Sequence, residues 1–130
     1  MIGVDTNVLV RLLTADDTAQ HAVAVRFFQD RSATDPAFVS AVTLAETIWV
    51  LRFRYRLTSA EILDAVSGIL DSDDFIVEGR EMLTVARDAG KSAPLTDFLV
   101  AHLGRRAGCS TTVTFDRRAA KLVPSMELLA

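Results

Sequence analysis

Cysteine and long apolar runs are scarce in this chain of 130 residues, and each shortage excludes a class of protein. The single cysteine, Cys109, excludes an internal disulfide and a multi-cysteine zinc site. Its expected place is a small buried position that opens a strand. No apolar stretch approaches the roughly 20 residues that span a bilayer, because Arg11 interrupts the first one. The first residues lack the basic segment of a secretory signal, so we expect a cytoplasmic protein with no membrane association.

An excess of positive charge is also missing, since 14 Lys and Arg face 17 Asp and Glu, for a net charge of −3. The overall balance therefore does not indicate a nucleic-acid partner. The basic residues are nevertheless clustered, at Arg52, Arg54 and Arg56, at Arg105 and Arg106, and at Arg117, Arg118 and Lys121. Each cluster alone fits a solvated helix end. Together they fit a basic rim around an acidic centre, as an enzyme acting on a polyanion would need.

No linker, repeat or low-complexity segment divides the chain, so residues 1–130 are predicted to form a single domain. Strands are predicted at 1–4, 37–39, 75–77, 110–114 and 126–128. Helices are predicted at about 6–13, 18–31, 41–55, 59–70, 80–89, 94–107 and 117–121, with Asp17 or Thr18, Ser40 and a Thr58–Glu61 capping box as helix starts. This alternation predicts an α/β fold whose mainly parallel sheet of four or five strands is covered on both faces.

Two acids follow predicted strands directly, at the sheet edge where ligands bind in parallel α/β folds. Asp5 ends the first apolar run and Asp116 follows the fourth strand. Either carboxylate, taken alone, fits the role of an N-cap for the next helix.

Two further acids lie inside predicted helices. Glu46 interrupts a line of apolar residues, among them Trp49 and Phe53, which predicts that it lies on a packing face. Glutamate is rarely buried there unless it is paired, for example with Arg11, or bound to something. Asp97 falls in a first helical turn, where the helix dipole favours an acid. The small residues that follow it on one stripe, Ala101, Gly104 and Gly108, allow a close approach of neighbouring elements.

Converging carboxylates would repel one another. Two of them about 5 Å apart cost roughly 3 kcal/mol at an effective dielectric constant near 20, and a divalent cation removes the conflict. Oxygen-only ligands favour Mg²⁺ or Mn²⁺, with Asp5, Glu46, Asp97 and Asp116 as ligands and catalytic residues. Thr6, Asn7 and Thr114 can support these ligands through hydroxyl or amide contacts. The aromatic residues, Trp49 included, follow helical spacing and are expected mainly in the core rather than as base-stacking platforms. A place for some of them in a groove for a second copy or a partner protein stays open.

Four segments carry a resemblance to a known family: 4–9 (VDTNVL), 44–51 (LAETIWVL), 95–101 (LTDFLVA) and 112–117 (TVTFDR). In this order and spacing they resemble the PIN-domain ribonucleases, most closely the VapC-type toxins of bacterial toxin–antitoxin pairs. The resemblance implies a three-layer α/β/α sandwich, Mg²⁺ or Mn²⁺ bound by the four acids, and cleavage of RNA. It also implies a homodimer and silencing by a cognate VapB-like antitoxin. Arg11, Arg52 and Arg117 are candidate RNA-binding residues.

Three other functions remain open. An aspartate-based phosphatase would have a second acid two residues after the first, where this chain has Asn7. A receiver-like signalling module would have a phospho-acceptor on a central strand, which residues 75–77 do not offer. A non-catalytic PIN-like domain that binds RNA or protein is the strongest alternative.

Overall fold

A computed structural model describes residues 1–130 as two compact units, Met1–Glu78 and Gly79–Ala130. The first unit contains β1 (Ile2–Gly3), α1 (Thr6–Leu13), α2 (Thr18–Gln29), β2 (Ala37–Val39), α3 (Ala41–Phe53), α4 (Ser59–Leu70) and β3 (Phe75–Val77). The second contains α5 (Arg80–Asp88), α6 (Leu95–Arg106), β4 (Thr112–Thr114), α7 (Arg117–Leu122) and β5 (Met126–Leu128). All twelve predicted elements are present, and only their ends differ by a few residues.

The first unit is built on a parallel sheet in the order β1-β2-β3. Its register pairs Ile2 with Ala37 and Ala37 with Phe75. Parallel strands need helical crossovers between them, and α1 and α2 separate β1 from β2, while α3 and α4 separate β2 from β3. Because the strands are parallel, β1 and β2 end at the same edge, and their ends lead into the N-termini of α1 and α3.

Side-chain caps begin the helices of the first unit. Asp17 accepts a hydrogen bond from Gln20 N at 3.0 Å, and Ser40 Oγ accepts one from Thr43 N at 3.1 Å. The predicted capping box of α4 is confirmed, because Thr58 Oγ1 accepts from Glu61 N at 3.1 Å while Glu61 Oε1 accepts from Thr58 N at 2.9 Å. These bonds satisfy N–H groups that a helix start leaves without intrahelical partners.

The face of α3 that carries Glu46 is exposed, so the prediction that it packs into the core is wrong. The buried side of α3 contains Leu44, Thr47, Ile48 and Leu51 instead. Trp49 and Phe53 are 56% and 60% exposed, which also corrects their expected place in the core. The pattern misled because apolar residues occur on all sides of α3, so periodicity could not decide which side is covered.

The second unit packs α5 against α6, and both α6 and α7 lie against the parallel pair β4–β5. The predicted close approach of α6 is real at one position. A Cβ added to Gly104 would lie 2.8 Å from Thr112 Oγ1, whereas Gly108 has open space and a left-handed backbone, with φ at 98°. Cys109 is exposed and lies before β4, which corrects its expected burial.

The parallel α/β class expected from the sequence is confirmed, with hydrogen-bonded sheets of three and of two strands. None of the seven helices has both the length and the apolar character needed to cross a membrane.

Candidate functional site

Two predicted ligands of the first unit border one groove. Asp5 caps α1 and accepts a hydrogen bond from Thr6 N at 2.8 Å. The Thr6 hydroxyl donates to Glu46 Oε1 at 3.0 Å, so Thr6 connects the end of β1 to the middle of α3. The groove has a volume of about 320 Å³ and is lined by Asp5, Thr6, Asn7, Val10, Arg11, Asp16, Glu46, Val50, Arg54 and Tyr55. Residues 40 positions apart in sequence thus face the same space.

Arg11 is held at this groove by a polar network. Its guanidinium donates to Gln20 Oε1 at 2.7 Å and to the Tyr55 hydroxyl at 3.2 Å, and it forms an ion pair with Asp16 at 3.3 Å. The hydroxyl of Tyr55 donates to Asp16 Oδ2 at 2.8 Å. This bond lowers the pKa of the Asp16 carboxyl below its ordinary value, and the charge of Arg11 adds to the effect. The ion pair with Glu46, considered as an alternative from the sequence, is absent because Arg11 pairs with Asp16.

The second unit contains the other pair of predicted ligands. Asp97 lies in the first turn of α6 and is half-buried. Burial raises the pKa of its carboxyl above the ordinary value, and the negative charge of Asp116 raises it further. Asp116 follows β4, where its backbone N–H donates to Thr114 Oγ1 at 3.0 Å. Thr114 therefore holds the backbone of Asp116 in place, although its hydroxyl does not contact the Asp116 carboxylate.

Capping and metal binding do not compete at Asp5 or Asp116. The Oδ1 atom of Asp116 accepts both capping bonds of α7, from Arg118 N and Ala119 N at 2.9 Å each. Asp5 likewise uses Oδ1 for its bond to Thr6 N. No hydrogen bond engages Oδ2 of either residue. Each carboxylate can therefore cap its helix through one oxygen and offer the other to a cation.

Asp5 and Glu46 line one groove of the first unit, and in the second unit the charge of Asp116 acts on Asp97. No group of three or more His, Cys, Asp or Glu side chains is assembled as a metal cluster. This donor chemistry still fits Mg²⁺, which keeps several waters and is commonly bound by one or two carboxylates plus substrate phosphates. Of the predicted RNA-binding residues, Arg52 and Arg117 are exposed, while Arg11 is half-buried in its network. Asn7 is exposed and borders the groove.

The sequence did not single out Asp16 or Tyr55. Tyr55 lies just beyond the end of α3, and Asp16 lies between α1 and α2, so neither belongs to a recognisable motif. In the structure both residues line the groove and both contact Arg11. The one usable signal in the sequence was Tyr55 itself, which lies between Arg54 and Arg56. A buried or half-buried tyrosine hydroxyl usually has a hydrogen-bond partner.

The chain belongs to the PIN domain family, whose model matches residues 2–123. PIN domains are generally nucleases that use divalent metal ions. The match includes all four acids and extends over parts of both compact units. Comparison with curated proteins gives no match.

Proposed function

We propose that this chain is a Mg²⁺- or Mn²⁺-dependent endoribonuclease toxin. In this proposal, the metal is held by Asp5, Glu46, Asp97 and Asp116, and the substrate is single-stranded or structured RNA. The 130 residues form one domain, and the protein acts in the cytoplasm as a homodimer. A cognate VapB-like antitoxin neutralises it.

One observation supports the proposal more than any other. Asp5 and Glu46, which come from a strand end and from the middle of a helix, border the same groove. Thr6 links them, because its backbone N–H donates to Asp5 and its hydroxyl donates to Glu46. Carboxylate oxygens are the ligands that Mg²⁺ and Mn²⁺ prefer, and two of them beside one groove offer a divalent cation a place to bind. In the second unit, burial and the charge of Asp116 raise the pKa of Asp97, which indicates that its charged form is disfavoured when no cation is bound.

Each side chain has a distinct task. A bound divalent cation would polarise the phosphodiester and lower the pKa of a water molecule. Asp5 and Asp116 offer their free Oδ2 atoms to it, and Thr6 orients the Glu46 carboxylate through its 3.0 Å hydrogen bond. Asn7 and Thr114 support the neighbouring acids. Arg11, Arg52 and Arg117 bind backbone phosphates, since arginine forms strong charge-assisted bonds to phosphate oxygens.

The decisive test compares two N-cap aspartates. Asp5→Asn and Asp17→Asn both retain a good cap, but only the first removes a proposed metal ligand. We expect Asp5→Asn to reduce Mg²⁺-dependent RNA cleavage at least about a hundredfold, since even residues that only support metal ligands are worth 10- to 100-fold. Asp17→Asn should cleave like the wild type. Circular dichroism should show the same helix content in both variants.

Cleavage that persists in folded Asp5→Asn, or in wild type treated with EDTA, would contradict the proposal. Wild type that binds RNA but does not cleave it, and that takes up no Mn²⁺ in isothermal titration, would establish the non-catalytic binding module instead.

A further inference from the structure

The outer face of α3 carries two aromatic side chains in contact with each other. Trp49 and Phe53 are one helical turn apart, with ring centroids separated by 5.3 Å and ring planes inclined at 44°. Both are more than half exposed, although each could bury a large apolar surface. Exposed aromatic pairs on a helix whose other side already forms core indicate an interaction surface.

Three arginines flank this pair. Arg52, Arg54 and Arg56 are exposed, and none of them takes part in an ion pair. No acidic residue occurs between Glu46 and Glu61. We call Trp49 and Phe53, together with these three arginines, the aromatic–arginine face.

The aromatic–arginine face continues from the groove of Asp5 and Glu46. Val50 and Arg54 line that groove with the two acids. Along the helix axis, Trp49 lies about 4.5 Å and Phe53 about 10.5 Å beyond Glu46, at 1.5 Å per residue. Stacked nucleotides rise about 3.4 Å each, so the two rings lie one to three nucleotides from Glu46.

We propose that the aromatic–arginine face binds unpaired nucleotides next to the scissile phosphate, with bases stacked on Trp49 and Phe53 and phosphates bound by Arg52 and Arg54. This inference rests on the proposed nuclease function and specifies its substrate as RNA that is single-stranded beside the cut. Stacking on exposed rings requires splayed or unpaired bases, which a duplex does not present. The positive charge beside the rings complements the phosphate backbone.

The positive charge of the aromatic–arginine face argues against a second copy of the chain as its binding partner. Two aromatic–arginine faces pressed together would bring six arginines into one interface. Like charges placed opposite each other in an interface are strongly unfavourable. A polyanion can bind the same surface without repulsion between like charges.

The chain contains a single tryptophan, so Trp49 fluorescence reports directly on this surface. In EDTA, which prevents cleavage, a short single-stranded RNA should quench Trp49. An abasic oligomer of the same length, which has the phosphates but no bases, should not. Phe53→Ala should weaken RNA binding roughly tenfold or more, whereas Val85→Ala, which shortens an exposed apolar side chain of α5, should leave the affinity unchanged.

Three outcomes would overturn the inference: RNA that binds without quenching Trp49, equal quenching by the abasic oligomer, or Phe53→Ala that turns a dimer into a monomer while RNA affinity stays the same. The last outcome would make this face an interface between two copies. Quenching by RNA without any Mg²⁺-dependent cleavage would leave the stacking surface intact and contradict only the nuclease function. Cleavage without quenching would contradict only the stacking surface.

Discussion

Asp16 shows how one residue outside every motif can organise the candidate site. Its two carboxylate oxygens accept from Tyr55 and Arg11, and the latter borders the groove of Asp5 and Glu46. Arg11 would otherwise be free to approach the Glu46 carboxylate, which is the pairing that the sequence suggested. At the scale of single residues, the structure therefore keeps the positive charge beside the acids without neutralising them.

The lowered pKa of Asp16 predicts how this network responds to pH. A carboxyl whose pKa is lower in the folded state stabilises the protein above its unfolded value, and this contribution is lost as the pH falls through the folded-state pKa. Asp16→Asn should therefore lower Tm at pH 6, and the difference from the wild type should shrink below about pH 4, near the ordinary value of 3.8. Thermal unfolding between pH 3 and pH 7 measures this. A difference that stays constant over the whole range would contradict the assignment.

At the scale of elements, the packing of α6 on β4 depends on one missing side chain. Gly104 has no Cβ, and the Thr112 hydroxyl occupies the space where one would lie. A glycine inside a helix costs up to about 1 kcal/mol relative to alanine. The close approach of Thr112 to α6 explains why this cost is accepted here.

Gly104→Ala should lower the free energy of unfolding by about 1–3 kcal/mol, because the new methyl group would overlap Thr112 Oγ1. The same substitution in a Thr112→Ala background should instead be neutral or stabilising by up to about 1 kcal/mol, because the helix preference of alanine is then no longer opposed. Urea unfolding of the four proteins gives the coupling energy. If the changes in unfolding free energy of the two single variants simply add in the double variant, Gly104 and Thr112 do not limit the approach of α6 to β4.

At the scale of the whole molecule, metal binding and folding should be coupled. A cation that binds only the folded chain stabilises it by about 2.7 kcal/mol at a hundred times its Kd. Asp97 works against stability when no cation is present, since burial and Asp116 both disfavour its charged form. The Asp97 carboxylate should thus destabilise the folded state in metal-free buffer, and it should be required for the stabilisation that a bound metal ion gives.

Asp97→Asn should raise Tm slightly in EDTA and abolish the increase in Tm that Mn²⁺ gives the wild type. The two effects have opposite signs, so a general loss of structure could not produce both. Asp30→Asn, which alters an exposed acid outside the four, should retain the full response to Mn²⁺. A wild-type Tm that does not change with Mn²⁺, or a full response in Asp97→Asn, would contradict the assignment of Asp97 as a ligand.

From the sequence, the order and type of all twelve elements and caps such as Ser40 and Thr58 were predictable, because caps, turns and strand runs depend on neighbours in the chain. The sequence also indicated the family, because the four motifs that contain the acids follow one another in the order and spacing of PIN domains. Three features required the folded chain: the covered side of α3, the exposure of Cys109 and the partners of Arg11. They depend on how elements pack, as when Tyr55 reaches Arg11 from 44 positions away, and local periodicity carries no information about such contacts.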